Sequence, residues 1–314
     1  MKRREFLNIC AAGLCVLNAP NLFANNHYKI FVAPSIPSIT IAKAALNRVD
    51  TSVKVWKNPD ELRVGVASNK MQIMMSPTNV CTMLYNKGFD VGYVNFLTTL
   101  QTSLISKNKA INELKQLVGK SIILPFKNDM PDIILRTLLK HLGIDFNKIN
   151  FIYTNTPPEA LALFLSKNEI DAAYLPEPMA SAAKLKAKLK SINIYDGISS
   201  DKLWKECFNE SIYQAGIIAN HKFYEENKSY FISLENDLKA SLKWILQNKS
   251  EAALIGANLL NAPQKAIELS INNANLCVEN AKDVKKEVLE FLKIIHEYNP
   301  ALVGGKVHDD IFLG

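Results

Sequence analysis

Cysteine is scarce in this chain. Its 314 residues include five cysteines with no C-x-x-C pair, so the spacing supports neither a disulfide framework nor a structural zinc site. The five histidines, His27, His141, His221, His296 and His308, are scattered, and no H-E-x-x-H or H-x-H spacing occurs. There is no G-x-S-x-G elbow, phosphate-binding loop or dinucleotide fingerprint. These absences remove the usual marks of metal-assisted hydrolysis, acyl transfer and nucleotide chemistry, so neither catalytic residues nor a cofactor or metal is expected. Beyond residue 24 no apolar run reaches the length needed to span a bilayer. The net charge of +7 is spread among interleaved acidic residues, without the aromatic–basic pattern that grips nucleic acid. No nucleic-acid partner is expected, and there are no short repeats or low-complexity tracts.

Residues 1–24 read as a signal peptide. Lys2-Arg3-Arg4 is a charged start, Ile9 to Leu17 a moderately apolar core, and Leu22-Phe23-Ala24 puts a small residue before a cleavage point. Arg3-Arg4-Glu5-Phe6-Leu7 also resembles a twin-arginine export signal, with the general secretory route as the alternative. The expected product is soluble and exported to the periplasm. Cys10 and Cys15 leave with the segment. Cys81, Cys207 and Cys277 remain, expected as buried free thiols, with a Cys207–Cys277 disulfide as the alternative.

Strand-like and helix-like stretches alternate through the rest. Strands are expected at His27–Val32, Val53–Trp56, Met71–Met75 and Val91–Phe96, with helices between them, which implies a mainly parallel sheet covered on its faces. A second, similar unit starts near Asn112, with strands at Ser121–Leu124, Phe151–Tyr153 and Ala172–Leu175. Thr156 followed three residues later by Glu159 has the form of a helix capping box. Tyr213–Ala219 reads as one more apolar strand, and the last third carries long helical patterns.

Five loops end a strand and begin a helix: Ser35–Ser38, Ser76–Asn79, Phe126–Met130, Thr154–Pro157 and Leu175–Pro178. In a doubly wound sheet such loops gather at one edge, where helix N-termini present free N–H groups. Ser35, Ser38, Ser76, Thr78, Asn79, Thr98, Thr154 and Thr156 offer neutral hydrogen bonds there. Ile36, Pro77, Phe126, Met130 and Tyr174 offer apolar or stacking walls, and Asp129 and Glu177 are acidic. Each has a plainer role open to it. Ser38 and Thr156 suit helix caps, Met130 and Phe126 suit the core, and Glu177 suits local or hinge hydrogen bonds.

The stretch Ile170-Asp171-Ala172-Ala173-Tyr174-Leu175-Pro176-Glu177-Pro178 resembles the D-A-A-(apolar)-x-E-P element of periplasmic substrate-binding proteins that serve ABC importers. The group in question is that of nitrate, sulfonate, taurine and thiamine precursors. Ser76-Pro77-Thr78-Asn79, Pro125 to Pro131 and Asn299-Pro300 to Gly305 agree with it. The resemblance implies a type II periplasmic-binding-protein fold: two doubly wound α/β lobes joined by two crossing strands and closing on a ligand like a hinge. Residues 27–105 with 216–314 would form the first lobe and 106–215 the second, with crossings near Ser103–Lys107 and Tyr213–Ala219. The implied protein is a monomer that binds a small molecule and delivers it to an ABC permease in the inner membrane. A periplasmic ligand sensor, or a thiamine-precursor enzyme on the same fold, is the alternative. The five loops hold no arginine and one cation, Lys127. Arginine's planar fork is the usual grip on a hard anion, so a neutral or zwitterionic heterocycle, or an amine, is the expected ligand.

Overall fold

The structure is a computed structural model and describes residues 28–314. The expected export segment, residues 1–24, and His27 lie outside the described residues. Eleven strands and twelve α-helices follow in order among the described residues. They are β1 (Tyr28–Val32), α1 (Ser38–Leu46), β2 (Thr51–Val55), α2 (Pro59–Ala67), β3 (Ile73–Pro77), α3 (Thr78–Asn86), β4 (Val91–Thr98) and β5 (Thr102–Ser106). Then come β6 (Ser121–Pro125), α4 (Met130–His141), β7 (Asn150–Thr154), α5 (Pro157–Ser166), β8 (Ala172–Pro176), α6 (Met179–Leu189), β9 (Tyr195–Ser199) and α7 (Ser200–Phe208). Last are β10 (Ala215–Asn220), α8 (His221–Glu226), α9 (Lys228–Gln247), α10 (Lys249–Leu260), α11 (Gln264–Ile271), β11 (Leu276–Asn280) and α12 (Lys285–Tyr298).

Two sheets form. The first runs β11-β4-β10-β3-β1-β2 and the second β7-β6-β8-β5-β9. Both repeat one plan. Three parallel strands lead, β2-β1-β3 and β7-β6-β8, and then a single antiparallel strand is inserted. The inserted strand is β10 in the first sheet and β5 in the second, and each follows directly after the chain has crossed from the other sheet. The sheets are therefore less uniformly parallel than the alternation of elements suggests. The stretches expected to cross, near Ser103–Lys107 and Tyr213–Ala219, are strands seated within one sheet each: Thr102–Ser106 pairs wholly with β8 and β9, and Ala215–Asn220 with β3 and β4. The crossings themselves are the short segments 99–101 and 209–214.

Local chemistry explains the helix starts. Asn58 accepts from the Glu61 amide at the head of α2, Asp129 from Met130 at α4, Thr156 from Glu159 at α5 and Ser199 from Lys202 at α7. Each satisfies an N–H that the helix itself leaves unpaired. Ser38, expected as a cap, is instead the first residue of α1, and its hydroxyl donates back to the Ala33 carbonyl at 2.5 Å. The central strands β3, β4, β6, β8 and β10 bury because they are largely apolar on both faces. All eight residues of β4 are buried, as a central strand covered by helices requires.

One glycine is demanded by close approach. A Cβ on Gly216, at the start of β10, would lie 1.9 Å from the Asn95 carbonyl oxygen of β4. The register between β10 and β4 shifts at Ala215/Gly216. Gly216→Ala would force two strand backbones apart, so we expect it to lower stability by about 1–3 kcal/mol, read as a lower urea midpoint.

Cys81, Cys207 and Cys277 are free thiols. Burial, then Glu279, pushes the Cys277 thiol up to about 12, and burial raises Cys81 well above its ordinary value. Only the thiolate is nucleophilic. Iodoacetamide at pH 8 should therefore modify Cys81 and Cys277 only after urea unfolding, when Cys81, Cys207 and Cys277 each form an adduct without prior reduction. Fewer adducts on unreduced, unfolded protein would show a disulfide instead.

Candidate functional site

The carboxyl ends of the parallel strands meet the crossings. In the first sheet Ala215 lies beside both Pro77 and Thr98; in the second Thr102 lies beside Pro176, and Pro125 beside Thr154. Gln214 ties the two crossing segments together. Its side-chain oxygen accepts from the Gln101 amide at 3.0 Å, its own amide donates to the Thr98 carbonyl at 3.0 Å, and its carbonyl accepts from the Thr78 amide at 3.0 Å. The Gln101 carbonyl accepts from the Glu177 amide at 3.1 Å. One side chain on one crossing thus fixes the other crossing and reaches the heads of α3 and α6.

Most of the residues singled out from sequence come to this region, but they differ in what they have free. Ser38, Ser76, Thr78, Asn79, Thr98, Thr154 and Glu177 are all buried. Thr78 donates its hydroxyl to the Tyr213 carbonyl, the Thr98 hydroxyl lies 2.6 Å from the Ala274 carbonyl, and that of Thr154 lies 2.9 Å from the Thr156 carbonyl. The Ser76 hydroxyl bonds locally to Pro77. Ile36 packs with Ile39, Ile245 and Ile267 in a helix core, and Met130 joins the main core. Thr156 is exposed and serves as a cap. Tyr174 is buried beneath α7, where burial raises its hydroxyl's pKa and Ser200 is its neighbour. Four buried polar atoms of these loops and of the first crossing have no partner among the described residues: Ser35 Oγ, Asn79 Oδ1, Gln101 Oε1 and Thr102 Oγ1. Buried polar groups are nearly always bonded; these four, and the Tyr174 hydroxyl, are left without a bond among the described residues. Gln101 and Thr102 escaped the sequence reading because nothing in Leu100-Gln101-Thr102 distinguishes a crossing from an ordinary loop.

The loop between β6 and α4 is held in an unusual shape. Phe126 and Asn128 both have φ of +61°; asparagine tolerates this region, but a bulky side chain there is strained. A buried network holds the loop. Asp132 accepts from the Asn128 amide at 2.9 Å, from Arg136 Nε at 2.8 Å and from the Tyr153 hydroxyl at 2.8 Å. The Arg136 guanidinium lies over the Phe151 ring at 4.5 Å and the Phe146 ring at 5.2 Å. Burial pushes the Asp129 carboxyl up, against the pull of the Met130 amide and of the Arg63 charge. Arg63 belongs to α2, beside the first sheet, so a cation from one half acts on a carboxylate of the other. It lies inside a helix, outside the loops that the sequence reading searched for arginine. A separate groove of about 290 Å³ lies between α2 and α3, and none of the five loops lines it.

Asp132→Ala would leave the Arg136 charge without its carboxylate partner and free the Asn128 amide. We expect a loss of about 3–5 kcal/mol in urea unfolding. Asp129 carries the opposite sign. Its raised folded-state pKa means that the folded protein binds the extra proton, so its contribution falls as pH rises from the ordinary carboxylate value through the raised one. Asp129→Asn keeps an acceptor for Met130, and should stabilise the protein at pH 7 but not at pH 3.

A family model described as NMT1/THI5 like matches residues 50–252, well over half of the chain. No curated protein matches. Among solved structures, an ABC transporter from Parabacteroides distasonis superposes with a TM-score of 0.76 and 22% identity, over 92% of this chain and 99% of that one. The periplasmic aliphatic sulphonate binding protein SsuA from Escherichia coli superposes at 0.71 with 15% identity, over 90% of this chain and 89% of that one. The periplasmic nitrate-binding protein NrtA from Synechocystis PCC 6803 superposes at 0.66 with 12% identity, over 92% and 87%. The shared architecture is the type II periplasmic-binding-protein fold, in agreement with the strand order of both sheets. With the family match running from the start of β2 into α10 and so covering strands of both sheets, the chain belongs to the NMT1/THI5-like family.

Proposed function

We propose that this protein is the extracytoplasmic solute-binding subunit of an ABC importer. It captures a small organic molecule between two lobes and passes it to a permease in the inner membrane. The first lobe is built on the sheet of β1–β4, β10 and β11, and the second on that of β5–β9. The observation that carries the reading is the doubled plan: two sheets of matching topology, linked by two short segments, with the carboxyl ends of their parallel strands at the link. Open α/β sheets bind ligands in the crevice outside the carboxyl ends of their strands, which supports the reading. The fold neighbours named as sulphonate- and nitrate-binding proteins support the reading, as do residues 1–24 as an export signal. The protein acts as a monomer.

It works by binding and not by catalysis. The fold neighbours named as binding proteins support this reading. The described histidines have other neighbours: His221 lies 3.5 Å from Asp90, His308 bonds Asn86, His296 bonds the Gly305 carbonyl, and His141 packs on Phe208.

The ligand is a neutral or zwitterionic heterocycle, or an amine. A hard anion would seek the helix N-termini, yet α4 and α6 already hold their own carboxylates there: Asp129 on the Met130 amide and Glu177 on the Ser181 amide. The neutral atoms of Ser35, Asn79, Gln101 and Thr102 remain to bond the guest. Native mass spectrometry of protein taken from its own periplasm should show a retained small molecule whose loss follows unfolding. Titration calorimetry with taurine, an alkanesulfonate and nitrate should show no micromolar binding; such binding by any of them would overturn the ligand class, and a bare protein mass together with no response to any solute would overturn the binding role.

A further inference from the structure

We propose that Glu177 is an internal clamp that sets the angle between the two lobes. The proposal rests on the two-lobe reading above and adds a part that the binding role does not itself require. Glu177 follows β8 of the second sheet and is 2% exposed. Its carboxylate is fully engaged by its own chain. Oε2 accepts from the Ser181 amide at 3.1 Å and lies 2.9 Å from the Ser270 hydroxyl; Oε1 accepts from the Ser181 hydroxyl at 3.0 Å and from Asn273 Nδ2 at 3.3 Å.

Two of these partners are local and two are distant. Ser181 lies in the first turn of α6, on the same half as Glu177. Ser270 and Asn273 lie at the end of α11, more than ninety residues away. Helix α11 belongs to the helical layer of the first sheet: Ile267, Ile271 and Ala274 pack with Ile36 and Ile39 there. Only Ala266 of that helix joins the core of the second half. The chain just beyond α11 grips the first crossing, since the Asn275 amide group donates to the Leu100 carbonyl at 2.6 Å and the Thr99 amide to the Asn275 carbonyl at 3.1 Å. The carboxylate therefore links the head of a second-half helix to a first-half helix, next to the hinge. Ser270 has one proton, and the Ala266 carbonyl is also within 2.6 Å; the charged carboxylate is the stronger acceptor of the two. A buried charge with four donors is costly to separate from any of them, so a change of lobe angle that pulls α11 from α6 must break this cluster.

The test measures lobe separation on ligand-free protein, refolded from urea. Spin labels are placed at exposed Val49 in the first half and Lys148 in the second, in a background with Cys207 and Cys277 replaced by serine. Double electron–electron resonance should give one narrow distance for that background. Glu177→Gln, and separately Ser270→Ala combined with Asn273→Ala, should shift and broaden it. Asn273 Nδ2 also lies 3.4 Å from the Ser181 hydroxyl, so the local control is Thr156→Ala, which removes only the cap of α5 and should leave the distance narrow. If the distance is unchanged in the Glu177 and Ser270/Asn273 variants while their unfolding midpoints fall, Glu177 is a stabilising core residue and the clamp is overturned. Equal broadening by Thr156→Ala would overturn it as well. Neither result touches the solute-binding role, which stands or falls on the retained mass and the calorimetry.

Discussion

Everything near the seam hangs on the Gln214 side chain. The chain passes between the sheets twice, and each passage is only a few residues long. Without a tie between them, two such passages would be held only through the groups that flank them, among them Asn275 on Leu100. Gln214 bonds the Gln101 amide across the gap while its own backbone is fixed to Thr98 and Thr78. A neutral amide suits this place: it bonds two ways without the desolvation penalty of a buried charge. The helix heads, the crossing and the unpartnered atoms beside it are positioned from that point outward.

The two halves treat polarity differently around the same seam. In the first half α1 and α3 follow prolines, Pro37 and Pro77, and neither has a side-chain cap. In the second half α4, α5 and α6 all begin with a side chain of this chain on an early amide: Asp129, Thr156 and Glu177. One half therefore offers less occupied helix starts, and the other brings carboxylates. The Arg63 charge acting on Asp129 from the opposite half softens that asymmetry. Behind the second half's loop, Asp132 and Arg136 are packed among Phe146, Phe151 and Tyr153, so the strained backbone at Phe126 rests on a rigid base.

Much of this was legible in the residues. Proline, asparagine and threonine at Asn58-Pro59, Thr156-Pro157 and Asp129-Met130-Pro131 mark helix starts because their chemistry is local. The buried strands stood out as short apolar runs. What stayed hidden was non-local. Tyr195–Ser199 and Leu276–Asn280 are half-exposed strands with little pattern of their own, and they exist because a partner strand is waiting. Ile36 in a loop looked like a wall and is core, because α9, α10 and α11 fold over it. Glu177 looked like a ligand contact because its distant partners, Ser270 and Asn273, carry no signature. Gln101 and Gln214 are silent for the same reason: each matters only for where the other is.

The inserted strands impose an order of assembly. All five strands of the second sheet come from one continuous stretch, residues 102–199, whereas β10 and β11 of the first sheet arrive more than a hundred residues after β4. A chain emerging from the ribosome can therefore complete the second sheet while the gap between β3 and β4 still stands open. Until Ala215–Asn220 is synthesised, those two mostly apolar strands present unpaired edges, which are prone to associate with other chains. The half that begins the chain is the last to be finished.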